Sequence, residues 1–536
     1  MPTLLHPGVY VREIPGGSRS IEGVPTSTTI FVGETERGPL GVTRIIGRSQ
    51  YTTLFGGYRR RVDGQADPVS ERLLMPYAMD GFFANGGTTA YILRMCDGFN
   101  TVDPDTTVTA ARADGANDFL LASSPGLWGN SVRVTTALST DGDAARMRIA
   151  VFYTPAGTAT RLFVEEFDKL SFDPAEESFV DTALRRSNYI RWDPDAPLQL
   201  PAALDNNVGP PYPTAPELSA DGVDLAGGAG GGGTFDAADV PNFLTERLLQ
   251  LDDASLLVAA SLRQLPEAAL ADNDFVTFEN AFVTYADNRP QRDLFFIGEL
   301  PSLAAAADPV ATALTLSANN VTNTEFNAVY WPHIEVADPA GVGPNPRLRI
   351  PPAGYIAGLY SQVDGRRGVF KAPAGTEVQL GNTLGLSFNV LDLHQDALNP
   401  RAINALRTIP NAGRVIWGAR TRRPDGEWRY IPVRRTAIFL RKSIYNGIQW
   451  AVFEPNDERL WQSLRNTIGA FMDVQFRNGM FAGKTSDKAY FVKVDAETTT
   501  PDDQAAGIVN ILVGFAPLRP AEFVVVSLQQ MAGRSQ

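Results

Sequence analysis

Apolar and polar residues change period several times along this chain, and each change predicts an element. Pro7-Gly8-Val9-Tyr10-Val11-Arg12-Glu13-Ile14-Pro15 is a short β-type run fenced by prolines, with Gly16 and Gly17 behind it as a hinge. No adjacent run can close a hairpin on it, so this strand must add to a sheet distant in sequence or in another chain. Thr28–Gly33 reads as a buried strand. Val69–Asn85 then places Leu73, Leu74, Tyr77, Ala78 and Phe82 at helical spacing, Asn85-Gly86 supplies a stop, and Thr89–Met95 is a strand. Strand, helix, strand in this order opens a βαβ layer.

From about residue 100 to 224 the texture changes. Phe119–Ala122, Ser131–Ala137, Arg146–Tyr153 and Thr160–Glu166 are short strands separated by Gly, Pro, Asp and Ser turns, which predicts an all-β insertion, a sandwich or small barrel. Asn206–Pro216 and Gly227–Gly233 follow as Pro-rich and Gly-rich connectors. The α/β rhythm resumes with helix Pro241–Leu251, strand Ser255–Ala260, helix Asn273–Asn288, strand Asp293–Gly298, strand Asn327–Pro332 and a helix from Pro352 to Val363. The last part predicts helix Pro400–Thr408, strand Arg414–Ala419, helices Pro432–Trp450 and Asn456–Phe476, strands Ala489–Val494 and Gly507–Phe515, and a final apolar run, Ala521–Leu528.

The predicted fold class is therefore α/β plus β. A discontinuous α/β domain (residues 26–99 and 235–397) carries an inserted β-rich domain with its connector (100–234). An α+β C-terminal domain (398–518) follows, and extended arms flank the whole at 1–25 and 519–536. Phe523-Val524-Val525-Val526-Ser527-Leu528 is apolar on both strand faces and must be covered, in its own domain or in a neighbour's sheet. In helix Asn456–Phe476, Leu460, Trp461, Leu464, Ile468, Phe471 and Met472 share one stripe, with Arg459, Arg465 and Asn466 off it.

Charge adds an orientation. The 536 residues carry a formal net charge of −13, which argues against nucleic-acid binding through net charge. Residues 401–536 hold 19 Lys and Arg against 12 Asp and Glu, whereas residues 1–400 hold 28 against 48. An acidic body with a basic C-terminal region should turn its basic side toward an acidic partner.

Chemistry is sparse. One cysteine, Cys96, excludes an intramolecular disulfide and a cysteine-based zinc cluster. The three histidines, His6, His333 and His394, have no ligand spacing. There is no Gly-x-Ser-x-Gly elbow and no Gly-Lys-Ser/Thr phosphate loop. Gly228–Gly233 satisfies Gly-x-Gly-x-x-Gly formally, with Asp252 about twenty residues on. The strand before it is thin and the run nearly pure glycine, so it reads as a linker. No catalytic, metal or cofactor site is expected. The first 25 residues lack an apolar signal segment, and no apolar stretch reaches a membrane span, so synthesis in the cytoplasm without membrane insertion is expected.

Several fragments share one resemblance. They are Pro7–Glu13, Phe82-Phe83-Ala84-Asn85-Gly86-Gly87 before a strand ending in Arg94, Pro125-Gly126-Leu127-Trp128-Gly129-Asn130, and Pro351-Pro352-Ala353-Gly354-Tyr355-Ile356-Ala357-Gly358. Leu398-Asn399-Pro400, Asn404 and Val415-Ile416-Trp417-Gly418-Ala419-Arg420-Thr421 complete the set. In this order they resemble the contractile tail sheath family of phage tails, contractile bacteriocins and extracellular injection systems. The match is weakest over about residues 160–240.

The resemblance implies a helical homopolymer, a sleeve around an inner tube protein, held with baseplate and terminator or cap proteins in a phage tail or tail-like particle. Contraction would drive the tube through a target envelope. Terminal strands would exchange between copies, here Val9, Tyr10, Val11, Arg12, Glu13 and Ile14 at one end and Phe523–Leu528 at the other, with Gly16 and Gly17 absorbing rotation. The C-terminal domain would face the tube, with Asn456–Phe476 as the attachment helix. The tube-facing candidates are Arg434, Arg435, Arg441, Lys442, Arg459 and Arg465. The rival reading is a secreted or surface-displayed carbohydrate-binding or adhesive protein that uses the β-rich insertion.

Overall fold

A computed structural model describes residues 20–523, apart from 59–72, 96–107, 110–111, 114–118, 144, 156–159, 194–222, 231–236, 261–273, 305, 320–321, 323, 342–343 and 424. The predicted strands at 9–14 and 524–528, the Gly16–Gly17 hinge and Cys96 lie outside the described residues. The chain divides into two compact units, Pro25–Ile438 with Arg519–Gln536, and Met1–Val24 with Phe439–Leu518.

The larger unit is mixed α/β. Its main sheet has eight strands in the order Thr43–Ile45, Ala90–Met95, Thr29–Glu34, Leu256–Ala259, Phe295–Glu299, Asn327–Trp331, Ile403–Ile409 and Gly413–Trp417. The six inner strands run parallel and the two edges antiparallel. Parallel strands are buried on both faces, which is why each reads as a continuous apolar run.

Alternate residues serve different cores. Phe31, Ile92, Val258, Phe295, Ile297 and Tyr330 face a cluster with helices Arg48–Phe55, Met75–Ala84 and Ala353–Arg367. Ile30, Val32, Leu93, Leu257, Phe296 and Val329 face another, with helices Val240–Leu248, Asp274–Asn288 and Pro309–Asn319. On the first face two helices cross closely at Gly358, where a Cβ would stand 2.4 Å from the Phe82 carbonyl oxygen.

Between Ala90–Met95 and Leu256–Ala259 in sequence sits a seven-stranded antiparallel sheet, from Ile190–Trp192 at one edge to Leu162–Leu170 at the other. Among the described residues a single large sheet stands in place of the predicted sandwich or small barrel. Val180 and Leu184 of a short helix, with Trp128, supply the apolar cover that a second sheet would give. Within the expected glycine linker, Ala229–Gly230 pairs with Val108–Thr109 as a two-residue strand.

The predicted helix Pro400–Thr408 is a strand. Asn399–Arg401 makes one 3-10 turn, and Ala402 then takes a left-handed φ of 55°, which ends the helical path. Ile403–Ile409 pairs with Asn327–Trp331 and Gly413–Trp417, so residues 403–417 belong to the main sheet rather than to a C-terminal domain starting at 398.

Candidate assembly surfaces

In the smaller unit, helix Glu458–Arg477 starts at Asp457, whose carboxylate accepts the N–H groups of Arg459 and Leu460, each at 3.0 Å. The predicted stripe is its buried face: Leu460, Trp461, Leu464, Ile468, Phe471 and Met472. Leu460, Trp461 and Leu464 form a small core with Val494, flanked by Trp450, Val492 and Ile511. Trp461 Nε1 donates to Asn456 Oδ1 at 2.8 Å, which gives the half-polar indole a partner.

This helix backs a hairpin of two antiparallel strands, Tyr490–Lys493 and Leu512–Phe515. Tyr490 and Phe515 pack on Phe481, and Val492 turns toward the small core. By alternation Phe491 and Leu512 point the other way, and both are exposed. Among the described residues no further strand joins this pair, apart from a single bridge between Phe481 and Pro517. The chain entering this unit is seated on helix Ile431–Gly447: Ile21 lies against Gly447, and Val24 donates its N–H to Ser443 Oγ at 3.1 Å.

The six basic candidates fare differently. In the larger unit, the Arg434 guanidinium is buried over the Phe326 and Trp428 rings, at 4.0 and 4.7 Å. Arg435 is buried too, with two bonds to Asp364 at 3.0 and 2.6 Å and one to the Thr26 carbonyl. In the smaller unit Lys442 is buried, whereas Arg441 and Arg459 are exposed. Arg465 is half-buried and donates to the Val494 carbonyl at 2.8 Å.

Much of the basic surplus between residues 401 and 435 is held internally. Arg407 bonds Val390 and Asp392, and Arg414 bonds Thr383. Arg422 donates to the Ser317 and Arg401 carbonyls, with burial lowering its pKa to about 10. Glu522 is bound by Arg420, while its neighbour Phe523 is 77% exposed. Charge counting missed these roles because the partners are carbonyls and carboxylates far away in sequence.

His333 is fully buried with Nε2 at 2.9 Å from the Leu300 carbonyl, and burial lowers its pKa to about 4. Among the described residues no group of three or more His, Cys, Asp or Glu side chains is placed to hold a metal. No described helix is long and apolar enough to cross a membrane.

Residues 423–530 match the phage tail sheath C-terminal domain. The tail sheath protein of Vibrio phage KVP40 is 31% identical over 137 residues, 25% of this chain and 20% of that protein. In these stretches the chain is similar to tail sheath proteins. A putative prophage major tail sheath protein of Pseudomonas aeruginosa (strain UCBPP-PA14) is 24% identical over 193 residues, 36% of this chain and 48% of that one. The matched stretches thus span about a fifth and about half of these two relatives.

Likeness of fold extends along nearly the whole chain. It is similar to a chain of the contracted PVC sheath complex from an extracellular contractile injection system (TM-score 0.58, 21% identity, 99% of each chain covered). It is similar also to a chain of the anti-feeding prophage baseplate (TM-score 0.55, 22% identity, 99% of this chain and 100% of that one).

Proposed function

We propose that this chain is a structural subunit of a contractile sheath, which polymerises into a helical sleeve around an inner tube and contracts to drive that tube through a target envelope. The observation that carries the reading is the hairpin Tyr490–Lys493/Leu512–Phe515, inside the part matched to the sheath C-terminal domain. Helix Glu458–Arg477 covers one face of the pair, but among the described residues no further strand joins its edges, and Phe491 and Leu512 stay exposed on the other face. Strands Val9–Ile14 and Phe523–Leu528 from other copies complete it by strand addition. Such a contact is head-to-tail and does not close on itself, so it propagates into an open helix.

The stroke needs no nucleotide or cofactor. A metastable extended state that gains about 1–3 kcal/mol per subunit on rearranging, the usual scale of conformational coupling, sums over many copies. Gly16 and Gly17 take up the rotation while the ladders persist. Arg441 on helix Ile431–Gly447, and Arg459 and Arg465 on helix Glu458–Arg477, are the candidates that face an acidic tube. Baseplate and terminator or cap proteins bound the sleeve at its ends.

Negative-stain microscopy of the purified, overexpressed chain tests this. Long striated hollow sleeves support it. Uniform small particles that persist when inner tube protein is added count against it.

A further inference from the structure

Asn404 and Gly418 set the backbone of Arg420, whose guanidinium meets a single carboxylate. The buried Asn404 amide addresses the backbone of Arg420 with both ends: Oδ1 accepts the Arg420 N–H at 2.8 Å, and Nδ2 donates to the Arg420 carbonyl at 2.8 Å. Nδ2 also reaches the Val329 carbonyl at 3.2 Å on the neighbouring strand. Gly418 permits this approach, since a Cβ there would stand 2.8 Å from Asn404 Oδ1.

The guanidinium so placed donates from Nη1 to the Asn399 carbonyl at 3.0 Å. Its Nε and Nη2 take both oxygens of Glu522, at 2.8 and 2.5 Å, and the Tyr430 hydroxyl donates to the same carboxylate at 3.4 Å. The two side chains are only 10% and 13% exposed. A planar fork fixed by its own backbone is a built receptor for one carboxylate, which an ammonium cannot reproduce.

We propose that Arg420 is the mooring of the C-terminal arm. It holds Glu522, so that a pull on Phe523–Leu528 passes directly into the strands Ile403–Ile409 and Gly413–Trp417 of the main sheet. The mooring rests on the proposed function in one respect, that the arm continues into a neighbouring copy.

The test uses the full chain with Glu522→Lys, Glu522→Gln and Arg420→Lys, and two readouts. One is the rate at which chymotrypsin cuts after Phe523 in dissociated subunits. The other is the yield of ordered sleeves by pelleting and microscopy. Losing the Glu522 carboxylate leaves the Arg420 guanidinium largely buried and unopposed and should lower the unfolding transition, so cleavage is compared at a temperature where every variant is still fully folded. Glu522→Lys should be cut about tenfold faster and give few or irregular sleeves, with Glu522→Gln and Arg420→Lys between it and wild type.

Equal cleavage rates would overturn the mooring whatever assembly does. Faster cleavage with wild-type sleeves would overturn its part in assembly. A wild-type chain that forms no sleeve even with tube protein would defeat the sheath reading, while the cleavage rates still decide whether Glu522 is held.

Discussion

Glu279 accepts the backbone N–H of Glu299 at 3.2 Å, and both carboxyl groups are buried. Glu299 in turn accepts the N–H of Ala353 at 3.1 Å, at the start of helix Ala353–Arg367. Burial pushes the pKa of Glu299 up to about 8, and burial together with the neighbouring Glu299 raises that of Glu279. The folded chain therefore keeps protons that the unfolded chain releases above a pH of about 4.3. The contribution of Glu299 to stability is complete below that value, declines as pH rises toward 8, and levels off beyond, and the raised Glu279 carboxyl acts in the same direction. Melting temperatures should fall between pH 5 and pH 8, and Glu299→Gln, which keeps an acceptor for Ala353, should fall less. Identical slopes for the two proteins would remove the pair as the cause.

Gly358→Ala should destabilise the larger unit by about 1–3 kcal/mol, because the new methyl meets backbone at Phe82 rather than a movable side chain. Urea denaturation followed by fluorescence would read the change. A midpoint equal to wild type would mean that the helices can separate freely there.

The pair Arg435–Asp364 is a brace of the subunit itself, with both side chains under 5% exposed. Asp364→Ala leaves the guanidinium buried and unopposed and should cost about 3–5 kcal/mol of folding stability. Arg435→Glu should yield little folded protein at all. A folded Arg435→Glu subunit with a wild-type melting curve would contradict this placement.

Arg441→Glu and Arg459→Glu should instead leave stability within about 0.5 kcal/mol. Co-assembly with an acidic tube should weaken, most at low salt, where surface charges are least screened. Unchanged co-sedimentation at low ionic strength would move both residues off the tube.

Deleting Met1–Pro15 should give a folded subunit that no longer forms ordered sleeves. The seat of Ile21 and Val24 on helix Ile431–Gly447 stays intact in that deletion. Circular dichroism and microscopy on one preparation would separate the outcomes, since loss of folding places the strand in its own subunit's core.

The inner parallel strands were legible because Thr29–Glu34 or Phe295–Glu299 is apolar on both faces and stops at a turn. Helix Glu458–Arg477 was legible from its stripe, and its bounds differ from the predicted ones by two residues or fewer. The strand Ile403–Ile409 was not. Asn399-Pro400 imitates a helix start, and only the left-handed turn at Ala402 and pairing to strands on either side decide otherwise. The basic candidates were half legible. Counting arginines finds a surplus, but nothing local distinguishes Arg435, whose carboxylate lies 71 positions away, from Arg441 on the surface.

The division into two units has a consequence for how the subunit breaks. The chain passes from one unit to the other three times, after Val24, after Ile438 and after Leu518. A single nick between residues 438 and 439 therefore does not release two separate bodies. Each fragment takes a share of both, the first through Ile21–Val24 and the second through Glu522, so the pieces stay clasped until the fold itself opens. If the proposed sleeve forms, a proteolytic cut at that point would not by itself shed half a subunit from its wall.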